Sequence, residues 1–356
     1  MRVLQLGPYP PPHGGVQTNL VAIRDLLRKN GHWCGVINIT RHRAAEADDV
    51  YYPRNAVETL WLLLTLQYDI VHIHLGGNLT SRLLALCLVC CAVPRARSVL
   101  TLHSGGYPSS PAGRRARPRS LPGFIFRRFD KIIAVNREIA GMFQRFGVPQ
   151  ARIHVIAPHA RPVLTNQPLP ERLRHFLARH DPVLLTVGLL EPEYDLGLQI
   201  DLLGQIRERH PAAGLVIAGS GSLELELRRR IQESGHAEHV LLYGDMPHPV
   251  TLRAIAGCDV LLRTTTYDGD SVAVHEALQF GTPVIATDNG MRPDGVHLIP
   301  SGDKSALAEA IYKILSVPRA GVLERQQLKH DNIELVVNLY LNAAERSELV
   351  TSAARS

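Results

Sequence analysis

Two segments, one in each half of the chain, combine an apolar run with closely spaced glycines. The first covers residues 1–20 (MRVLQLGPYPPPHGGVQTNL) and the second covers residues 267–290 (YDGDSVAVHEALQFGTPVIATDNG). Each pattern predicts a strand, a tight glycine turn and the start of a helix. Because a helix start carries unpaired N–H groups and a partial positive charge, it suits an anion such as a diphosphate. Two such sites on separate domains predict one ligand held in the cleft between them.

Strand-like and helix-like segments alternate along the whole chain. Apolar runs predict strands at residues 2–6, 33–39, 69–74, 98–103 and 131–135, and again at 183–187, 215–218, 239–243, 260–262 and 283–286. The stretches between them predict helices at 17–29, 79–93, 196–209, 303–317 and 332–344, and one more that ends at 231. This alternation predicts two Rossmann-like, doubly wound α/β domains that face each other across a cleft.

The length of the chain allows two domains, each with its own core. The polar, proline-bearing stretch 165–181 predicts the linker between them. We therefore expect an N-terminal, acceptor-side domain at 1–170 and a C-terminal, donor-binding domain at 171–330. The last segment, 331–356, predicts a helix and tail, and the helix is expected to return to the N-terminal domain.

Positive charge is concentrated in one short window. Between residues 114 and 131, seven basic residues stand against one acid, so this window alone matches the net charge of +6 of the whole chain. The basic residues are Arg114, Arg115, Arg117, Arg119, Arg127, Arg128 and Lys131. Such a local excess predicts an anionic partner close by.

Aromatic residues interleave with these arginines. Residues 106–119 predict a flexible arm, and Phe124, Phe126 and Phe129 are expected to be exposed beside the arginines. Basic and aromatic side chains together favour an anionic membrane surface. The alternative is an amphipathic helix that packs its aromatic residues on the sheet. Nucleic acid is not an expected partner, because no RNA- or DNA-reading motif accompanies the patch.

The five cysteines, an odd number, indicate reduced core thiols in a cytosolic protein; they are Cys34, Cys87, Cys90, Cys91 and Cys258. A metal site at Cys87 and Cys90 would lack a second ligand pair. The start of the sequence has no pattern of a signal peptide, and the apolar runs at 60–66 and 83–93 are too short to span a bilayer. We expect a cytoplasmic protein that at most lies peripherally on the inner face of the cell membrane.

The glycine-rich segment from Asp268 onwards resembles family 4 of the retaining glycosyltransferases, which have the two-Rossmann GT-B fold. In that family an acid, seven residues and a second acid, followed by G-x-P-V-I-A, mark the sugar-nucleotide site. Here the acids are Asp268 and Glu276, and the similarity extends over residues 1–345. Carboxylates suit the hydroxyls of the transferred sugar and the ribose diol, because each accepts two hydrogen bonds.

The resemblance implies roles for further residues. Gly269, Asp270, Ser271 and Val272 form a helix start whose N–H groups would face the diphosphate. The alternative is a plain helix N-terminus capped by Asp270 or Ser271. Gly14 and Gly15 correspond to the family's N-terminal glycine loop, and Gly188 corresponds to its donor-binding glycine in the second domain.

His103 follows a strand and precedes two glycines. The resemblance implies that His103 contacts the transferred sugar and, with Asp268, lines the reaction centre. The carboxyl end of a strand is where open α/β sheets bind ligands. His72 and His74 occupy alternate positions in the preceding predicted strand, so one is expected in the core and the other at the edge of the cleft, and both are interpreted as structural.

The sequence departs from the family pattern where two cations are expected. Leu189 stands at the position of the family's arginine and Tyr194 at the position of its lysine, while Asp270 replaces an aromatic residue. Three explanations stay open. In the first, the helix start and the glycine loop suffice to bind the diphosphate, with Arg263 or Arg292 nearby. In the second, Asp270 turns inward as a helix cap. In the third, the protein is a weak or inactive relative.

The resemblance implies a hexosyltransferase-type enzyme that moves a sugar, with retention, from a nucleotide-diphosphate donor to a hydroxyl of a lipid-linked glycan acceptor. The expected process is cell-surface polysaccharide or glycolipid synthesis. No metal or other cofactor is implied, and the D-x-D letters at 268–270 are interpreted as part of the helix start. Two alternatives are an inactive GT-B protein that binds a sugar nucleotide or supports a partner enzyme, and a sugar-nucleotide epimerase of the same fold.

Overall fold

The computed structural model describes residues 1–40, 43, 47–77, 79–159, 162–164, 168–267, 270–290, 292–317 and 332–353, with side chains up to residue 344. Contacts divide the chain into two units. The first consists of Met1–Pro11, Gly15–Ala160 and His330–Ser356, and the second consists of Pro12–Gly14 and Arg161–Lys329.

The strands of both units are short and follow one another in chain order. They are β1 (Arg2–Gly7), β2 (Trp33–Asn38), β3 (Val50–Tyr51), β4 (Ile70–Leu75), β5 (Arg97–Leu102), β6 (Lys131–Ala134), β7 (Ile153–Val155), β8 (Val183–Val187), β9 (Gly214–Ala218), β10 (Val240–Gly244), β11 (Val260–Arg263), β12 (Val284–Thr287) and β13 (His297–Ile299).

Helices connect these strands and close the chain. They are α1 (Gly15–Lys29), α2 (Ala56–Thr65), α3 (Ser81–Ala92), α4 (Pro111–Arg114), α5 (Leu121–Phe126), α6 (Arg137–Arg145), α7 (Glu171–Arg179), α8 (Leu196–Arg209), α9 (Glu224–Glu233), α10 (His248–Gly257), α11 (Val272–Gln279), α12 (Lys304–Leu315) and α13 (Asn332–Ala353).

Each unit contains one parallel sheet. In the first, the strand order among the described residues is β3-β2-β1-β4-β5-β6-β7, and in the second it is β10-β9-β8-β11-β12-β13. In the first unit, β2 and β3 are added on one side of β1, and the chain then continues with β4 on the other side of β1. In the second unit, β9 and β10 lie on one side of β8 and β11 lies on the other side. The order of the strands therefore reverses between β1 and β4 and between β8 and β11. Ligands of open α/β sheets bind at such switch points, beyond the carboxyl ends of the strands.

Helices cover both faces of the first sheet. One face packs α2, α3, α5 and α6, with Leu4 and Ile73 of the sheet against Phe126 and Phe143. The other face packs α1 and the C-terminal helix α13, where Val3 and Ile133 of the sheet meet Ile23, Ile333 and Val336. The return of the C-terminal helix to the N-terminal domain is therefore confirmed, as is the double-wound α/β fold.

Local sequence explains where several of these helices begin. Asn55, Thr80 and Asn136 precede α2, α3 and α6, and each side chain accepts a hydrogen bond from the backbone N–H three residues later. Such caps satisfy backbone donors that have no partner within the helix. The predicted helix 196–209 matches α8, and the predicted strand 183–187 matches β8.

Two expectations about the window after β5 are wrong. Residues 106–119 are not a flexible arm, because Tyr107 is buried and the hydroxyl of Ser110 accepts a hydrogen bond from Gly113 at the start of α4. Phe126 and Phe129 are fully buried rather than exposed. Phe126 makes edge-to-face contacts with Phe143 and Phe146, because the side of α5 that carries Phe126 faces the core of the first unit. Only Phe124 of the three faces outwards.

Within the described part of the chain, no helix combines the length and the apolar character that crossing a bilayer would need. The longest helix, α13, carries polar and acidic residues along its length.

Candidate active site

A row of polar side chains crosses three adjacent strands of the first sheet, from the middle of β1 to the carboxyl ends of β4 and β5. Nε2 of His74, on β4, lies 2.9 Å from the side-chain oxygen of Gln5, on β1. Nδ1 of the same ring lies 3.3 Å from Nε2 of His103, which directly follows β5. The backbone N–H of His103 also donates to the carbonyl oxygen of Leu75. The sheet thus fixes His103 through both its backbone and its ring.

His72 continues this polar row towards α13. Its Nδ1 lies 2.5 Å from the hydroxyl of Tyr340, and its Nε2 lies 2.7 Å from the hydroxyl of Thr101. His72 and His74 are both fully buried, which agrees with their interpretation as structural residues. Both rings have hydrogen-bond partners within the sheet and its covering helix, which is why the interior tolerates them.

Burial makes all three histidines poor bases. It lowers the pKa of His72 and of His103 to about 3, with the neighbouring His103 adding to the effect on His72. Burial and the two neighbouring rings hold the pKa of His74 well below its usual range. The rings are therefore neutral at physiological pH, and each carries one ring proton.

Glycines shape the entrance to α1. A Cβ on Gly7, at the end of β1, would lie 2.7 Å from Cδ1 of Leu20 and 3.1 Å from Cβ of His74. The predicted strand, turn and helix start are present, since Gly15 is the first residue of α1 and is exposed. Gly14 belongs to the Pro12–Gly14 segment, which groups with the second unit.

In the second unit, Gly188 follows β8 at the switch point. A Cβ at this position would lie 2.2 Å from the ring of Tyr194 and 3.0 Å from a guanidinium nitrogen of Arg263. Arg263 ends β11, donates to the carbonyl oxygen of Val187 at 2.8 Å, and lies over the Tyr194 ring with 4.8 Å to the ring centre. The structure thus places an arginine beside Gly188, while Leu189 is exposed.

A second arginine lies one strand further along the same edge. Arg292 donates from Nε to the carbonyl oxygen of Thr287, which ends β12, at 3.1 Å. Another of its nitrogens donates to the hydroxyl of Thr265 at 2.7 Å. Arg263 and Arg292 therefore supply positive charge at the carboxyl ends of β11 and β12, and Arg263 does so beside Tyr194, one of the two positions where the sequence lacks an expected cation.

Glu276 lies in the second turn of α11 and is almost fully buried. One of its carboxylate oxygens lies 2.6 Å from Nε2 of His248, at the start of α10. His248 is a candidate site residue that the sequence pattern did not indicate. Its position just beyond the carboxyl end of β10 is the signal that could have identified it.

The start of α11 holds the remaining predicted donor-binding residues. Ser271 precedes the helix and its side chain makes no capping hydrogen bond, and Val272 is the first helical residue; both are buried. The carboxylate of Asp270 lies 2.6 Å from Nε2 of His275, one turn into α11. Asp268 and Gly269 lie outside the described residues.

The basic window forms an exposed surface on the first unit. The side chains of Arg114, Arg115, Arg117, Arg119 and Arg128 are exposed, and Arg127 is half-buried. The guanidinium of Arg128 lies over the exposed ring of Phe124, 3.6 Å from its centre.

The helix α2 adds apolar side chains to the outer surface of the same helical layer. Val57, Leu60, Trp61 and Leu64 are spaced as one helix face, and all four are exposed, Trp61 by 60% and Val57 by 77%. Arg95 donates to the carbonyl oxygen of Leu64, so a cation lies at the end of this stripe. We name these four residues the α2 stripe.

The two sheet orders and the residues gathered at their switch points define a two-domain protein of the GT-B class. The family model described as "Glycosyl transferases group 1" matches residues 155–332, which is half of the chain. The chain belongs to this family. A second family model, "Glycosyltransferase Family 4", matches residues 13–159.

Individual proteins agree with this assignment. The chain is 29% identical over 171 residues to a phosphatidyl-myo-inositol mannosyltransferase of Mycobacterium leprae, which covers 46% of the chain and 42% of that protein. It is 27% identical over 232 residues to the putative colanic acid biosynthesis glycosyltransferase WcaL of Escherichia coli, which covers 60% of the chain and 56% of that protein. The chain thus spans about half the length of these curated relatives.

The fold has a close counterpart among solved structures. Anabaena Alr3699/HepE in complex with UDP and glucose superimposes with a TM-score of 0.66 at 17% identity, over 98% of this chain and 99% of that one. At this level of identity the likeness supports the fold.

Proposed function

We propose that this protein is a retaining glycosyltransferase that moves a sugar from a nucleotide-diphosphate donor to a hydroxyl of a lipid-linked glycan, in the synthesis of a cell-surface polysaccharide or glycolipid. The names of the relatives support this class of reaction: a phosphatidyl-myo-inositol mannosyltransferase and a putative colanic acid biosynthesis glycosyltransferase. The matching solved structure holds UDP and glucose, which supports a sugar nucleotide as donor.

The observation that carries the proposal is the buried carboxylate of Glu276. A buried charge is costly unless it is paired, and here one oxygen lies 2.6 Å from His248. The second oxygen remains an acceptor for the vicinal hydroxyls of a ribose. A core residue that served only for packing would not require a carboxylate at this position.

Arg263 and Arg292 are proposed to take over the task of the missing Arg and Lys. A leaving diphosphate gains negative charge, and cations placed in advance stabilise that charge. Arg263 ends β11, and the Arg292 side chain bonds the last residue of β12. These two strands flank α11 in the chain, the helix whose first N–H groups would meet the same diphosphate. These groups make a metal ion unnecessary in the proposed reaction.

In the proposed transfer, the bond between the anomeric carbon and the diphosphate oxygen breaks. A bond from the anomeric carbon to the acceptor oxygen forms on the same face of the sugar, and the acceptor proton passes to the departing diphosphate. Asp268 and His103 are proposed to order the hydroxyls of the transferred sugar. The neutral His103 ring is suited to hydrogen bonding and not to acting as a strong base.

The acceptor is proposed to lie at an anionic membrane surface. The arginines of the basic window lie in and around α4 and α5, and α5, which carries Phe124, covers the same face of the first sheet as α2 with its stripe. Basic and apolar side chains together bind anionic bilayers more strongly than either alone. With Phe126 and Phe129 buried, the α2 stripe supplies the apolar contribution instead.

The test is a panel of sugar nucleotides incubated with the purified protein, with and without a polyprenyl-diphosphate-linked sugar as acceptor. Release of nucleoside diphosphate and the mass of the product are measured, with EDTA in a parallel series. We expect one donor to be consumed at a rate that EDTA does not change. Proton coupling constants of the product report the anomeric configuration, and inversion would reject the retaining class.

A second candidate is an inactive GT-B protein that binds a sugar nucleotide or supports a partner enzyme. The replacement of two family cations by Leu189 and Tyr194 favours it. Tight binding of a donor without hydrolysis or transfer, over the whole panel, would support this candidate against the enzyme.

A further inference from the structure

The amide of Gln5 has one orientation that its neighbours permit. Its nitrogen donates to the carbonyl oxygen of Leu20 at 3.2 Å and contacts Sγ of Cys34 at 3.3 Å. The reversed orientation would place the amide oxygen against the Leu20 carbonyl oxygen, and both atoms can only accept. The side-chain oxygen of Gln5 therefore faces His74.

This orientation determines the proton position on His74. The Gln5 oxygen, 2.9 Å away, is an acceptor, so Nε2 of His74 must carry the hydrogen. The ring is fully buried and neutral, and a neutral imidazole has a single ring proton. Nδ1 of His74 is consequently bare and accepts a hydrogen bond.

The bare Nδ1 of His74 faces Nε2 of His103 at 3.3 Å. Two bare nitrogens would repel each other, so Nε2 of His103 must be the donor. We propose that Gln5 and His74 are positioning residues that fix the tautomer of His103, with its proton on Nε2 and a bare, hydrogen-bond-accepting Nδ1 at the carboxyl end of β5. The backbone bond from His103 to Leu75 holds the residue in place while the ring is oriented.

This tautomer decides what His103 binds. A bare nitrogen accepts and does not donate, so the substrate group that meets it must itself carry a hydrogen, as a sugar hydroxyl does; a carboxylate or phosphate oxygen would be repelled. This consequence rests on the proposed function, in which His103 meets the transferred sugar. The proton positions themselves do not depend on it.

The direct test is long-range ¹⁵N–¹H NMR on the intact protein labelled at histidine. The protein has 17 histidines, and a His103→Gln variant assigns the signals of His103 by their disappearance. We expect the Nε2–H tautomer for both His74 and His103 at neutral pH. An Nδ1–H tautomer or a doubly protonated ring at His103 would overturn the inference, whether or not the protein binds a donor.

The variant His74→Phe removes the acceptor of His103 and keeps an aromatic ring. The matched control is His72→Phe, which removes an equally buried histidine from the same strand that has no hydrogen bond to His103. We expect both tautomers of His103 in His74→Phe and the single Nε2–H form in the control. In the transfer assay we expect a loss of roughly tenfold in kcat for His74→Phe alone, as for one lost hydrogen bond.

Equal effects of the two variants on tautomer and on kcat would mean that His74 acts only through stability and would overturn the positioning role. If the tautomers are as expected but no sugar nucleotide binds to the wild-type protein, the proposed function fails while the assignment of Gln5 and His74 as positioning residues stands.

Discussion

The hydroxyl of Tyr340, on the last helix of the chain, lies 2.5 Å from Nδ1 of His72, on the fourth strand. Both residues are fully buried, and 268 positions separate them in sequence. This hydrogen bond ties α13 to the middle of the first sheet. It also gives the second ring nitrogen of His72 a partner, while Nε2 of the same ring is bonded to Thr101.

We expect Tyr340→Phe to lower the free energy of unfolding of the first unit by about 1–3 kcal/mol, because it leaves a buried ring nitrogen without its partner. Both tryptophans of the chain, Trp33 and Trp61, belong to the first unit, so their fluorescence in urea follows this unit alone. The exposed Leu341→Ala serves as the control on the same helix. An equal midpoint for Tyr340→Phe and the wild type would show that the bond contributes nothing.

The first unit should lose stability as the pH falls. The folded state keeps His72 and His103 neutral, with pKa values of about 3, whereas the unfolded chain takes up protons from about pH 6.5 downwards. Because the unfolded state then binds more protons, each such histidine lowers the free energy of unfolding by about 1.4 kcal/mol for each pH unit between its unfolded pKa and its folded pKa. Urea unfolding followed by tryptophan fluorescence at about pH 7, 6 and 5 measures the slope.

The control for the acid effect is His72→Gln, which removes one titrating group. Carboxylates contribute equally to the wild type and this variant, so the difference between the two slopes isolates the histidine. We expect a shallower loss of stability for His72→Gln below about pH 6. Parallel curves would show that His72 is not held neutral in the folded protein.

Glu276→Ala should weaken the binding of a nucleoside diphosphate by about tenfold or more, because the ribose loses its carboxylate acceptor. The wild type should bind the ribonucleoside diphosphate more tightly than the 2′-deoxyribonucleoside diphosphate, and the variant should lose this preference. Titration calorimetry with both compounds measures this, and Glu233→Ala, on an exposed part of α9, is the control. A Glu276→Ala protein that still discriminates between the two compounds would place the ribose elsewhere.

Gly188→Ala should destabilise the second unit by about 1–3 kcal/mol, because the added methyl group meets the Tyr194 ring at 2.2 Å. The double variant Gly188→Ala, Tyr194→Ala should lose less free energy of unfolding than the two single variants together, because removing the Tyr194 ring leaves space for the added methyl group. Thermal unfolding by circular dichroism measures all three. Gly257→Ala, where an added Cβ meets nothing within 4 Å, is the control and should be neutral or stabilising. Additive costs would contradict the close packing at Gly188.

Replacement of Arg114, Arg115, Arg117 and Arg119 by glutamine should abolish co-sedimentation with phosphatidylglycerol vesicles, because each basic residue near an anionic surface contributes about 1 kcal/mol. Trp61→Ser should weaken the same binding through the α2 stripe. The matched control replaces four exposed arginines of the second unit, Arg174, Arg179, Arg209 and Arg229, with the same loss of charge. Equal losses in both quadruple variants would indicate a general charge effect and reject a specific docking face.

Local pattern predicted most of the elements that carry the site. The strand at 183–187 and the helix at 196–209 have the bounds that the apolar pattern predicts, and the remaining predicted strands differ from the observed ones by a residue or two. Buried parallel strands are continuous apolar runs and are easy to recognise. The edge strands β3, β7 and β13 were not predicted, because two or three residues on a sheet edge leave no periodic signal.

The candidate site was predicted less completely. His103, Gly188 and Glu276 were identified from the resemblance, but Gln5 and His248 were not, because each acquires its role from a partner distant in sequence: His74 for Gln5 and Glu276 for His248. The exposure expected for Phe126 and Phe129 was wrong, since alternation of aromatic and basic residues does not say which side of a short helix rests on the sheet.

The sequence by itself determined the two parallel α/β domains and the carboxyl strand ends at which chemistry is expected, because hydrophobic periodicity and glycine turns are local properties. Only the tertiary structure decided that Arg263 lies beside Gly188 and Tyr194, that Arg292 bonds the end of β12, that α13 closes over His72, and which nitrogen of His74 is bare. These features depend on contacts between residues far apart in the chain, and no local pattern encodes a distance between two strands.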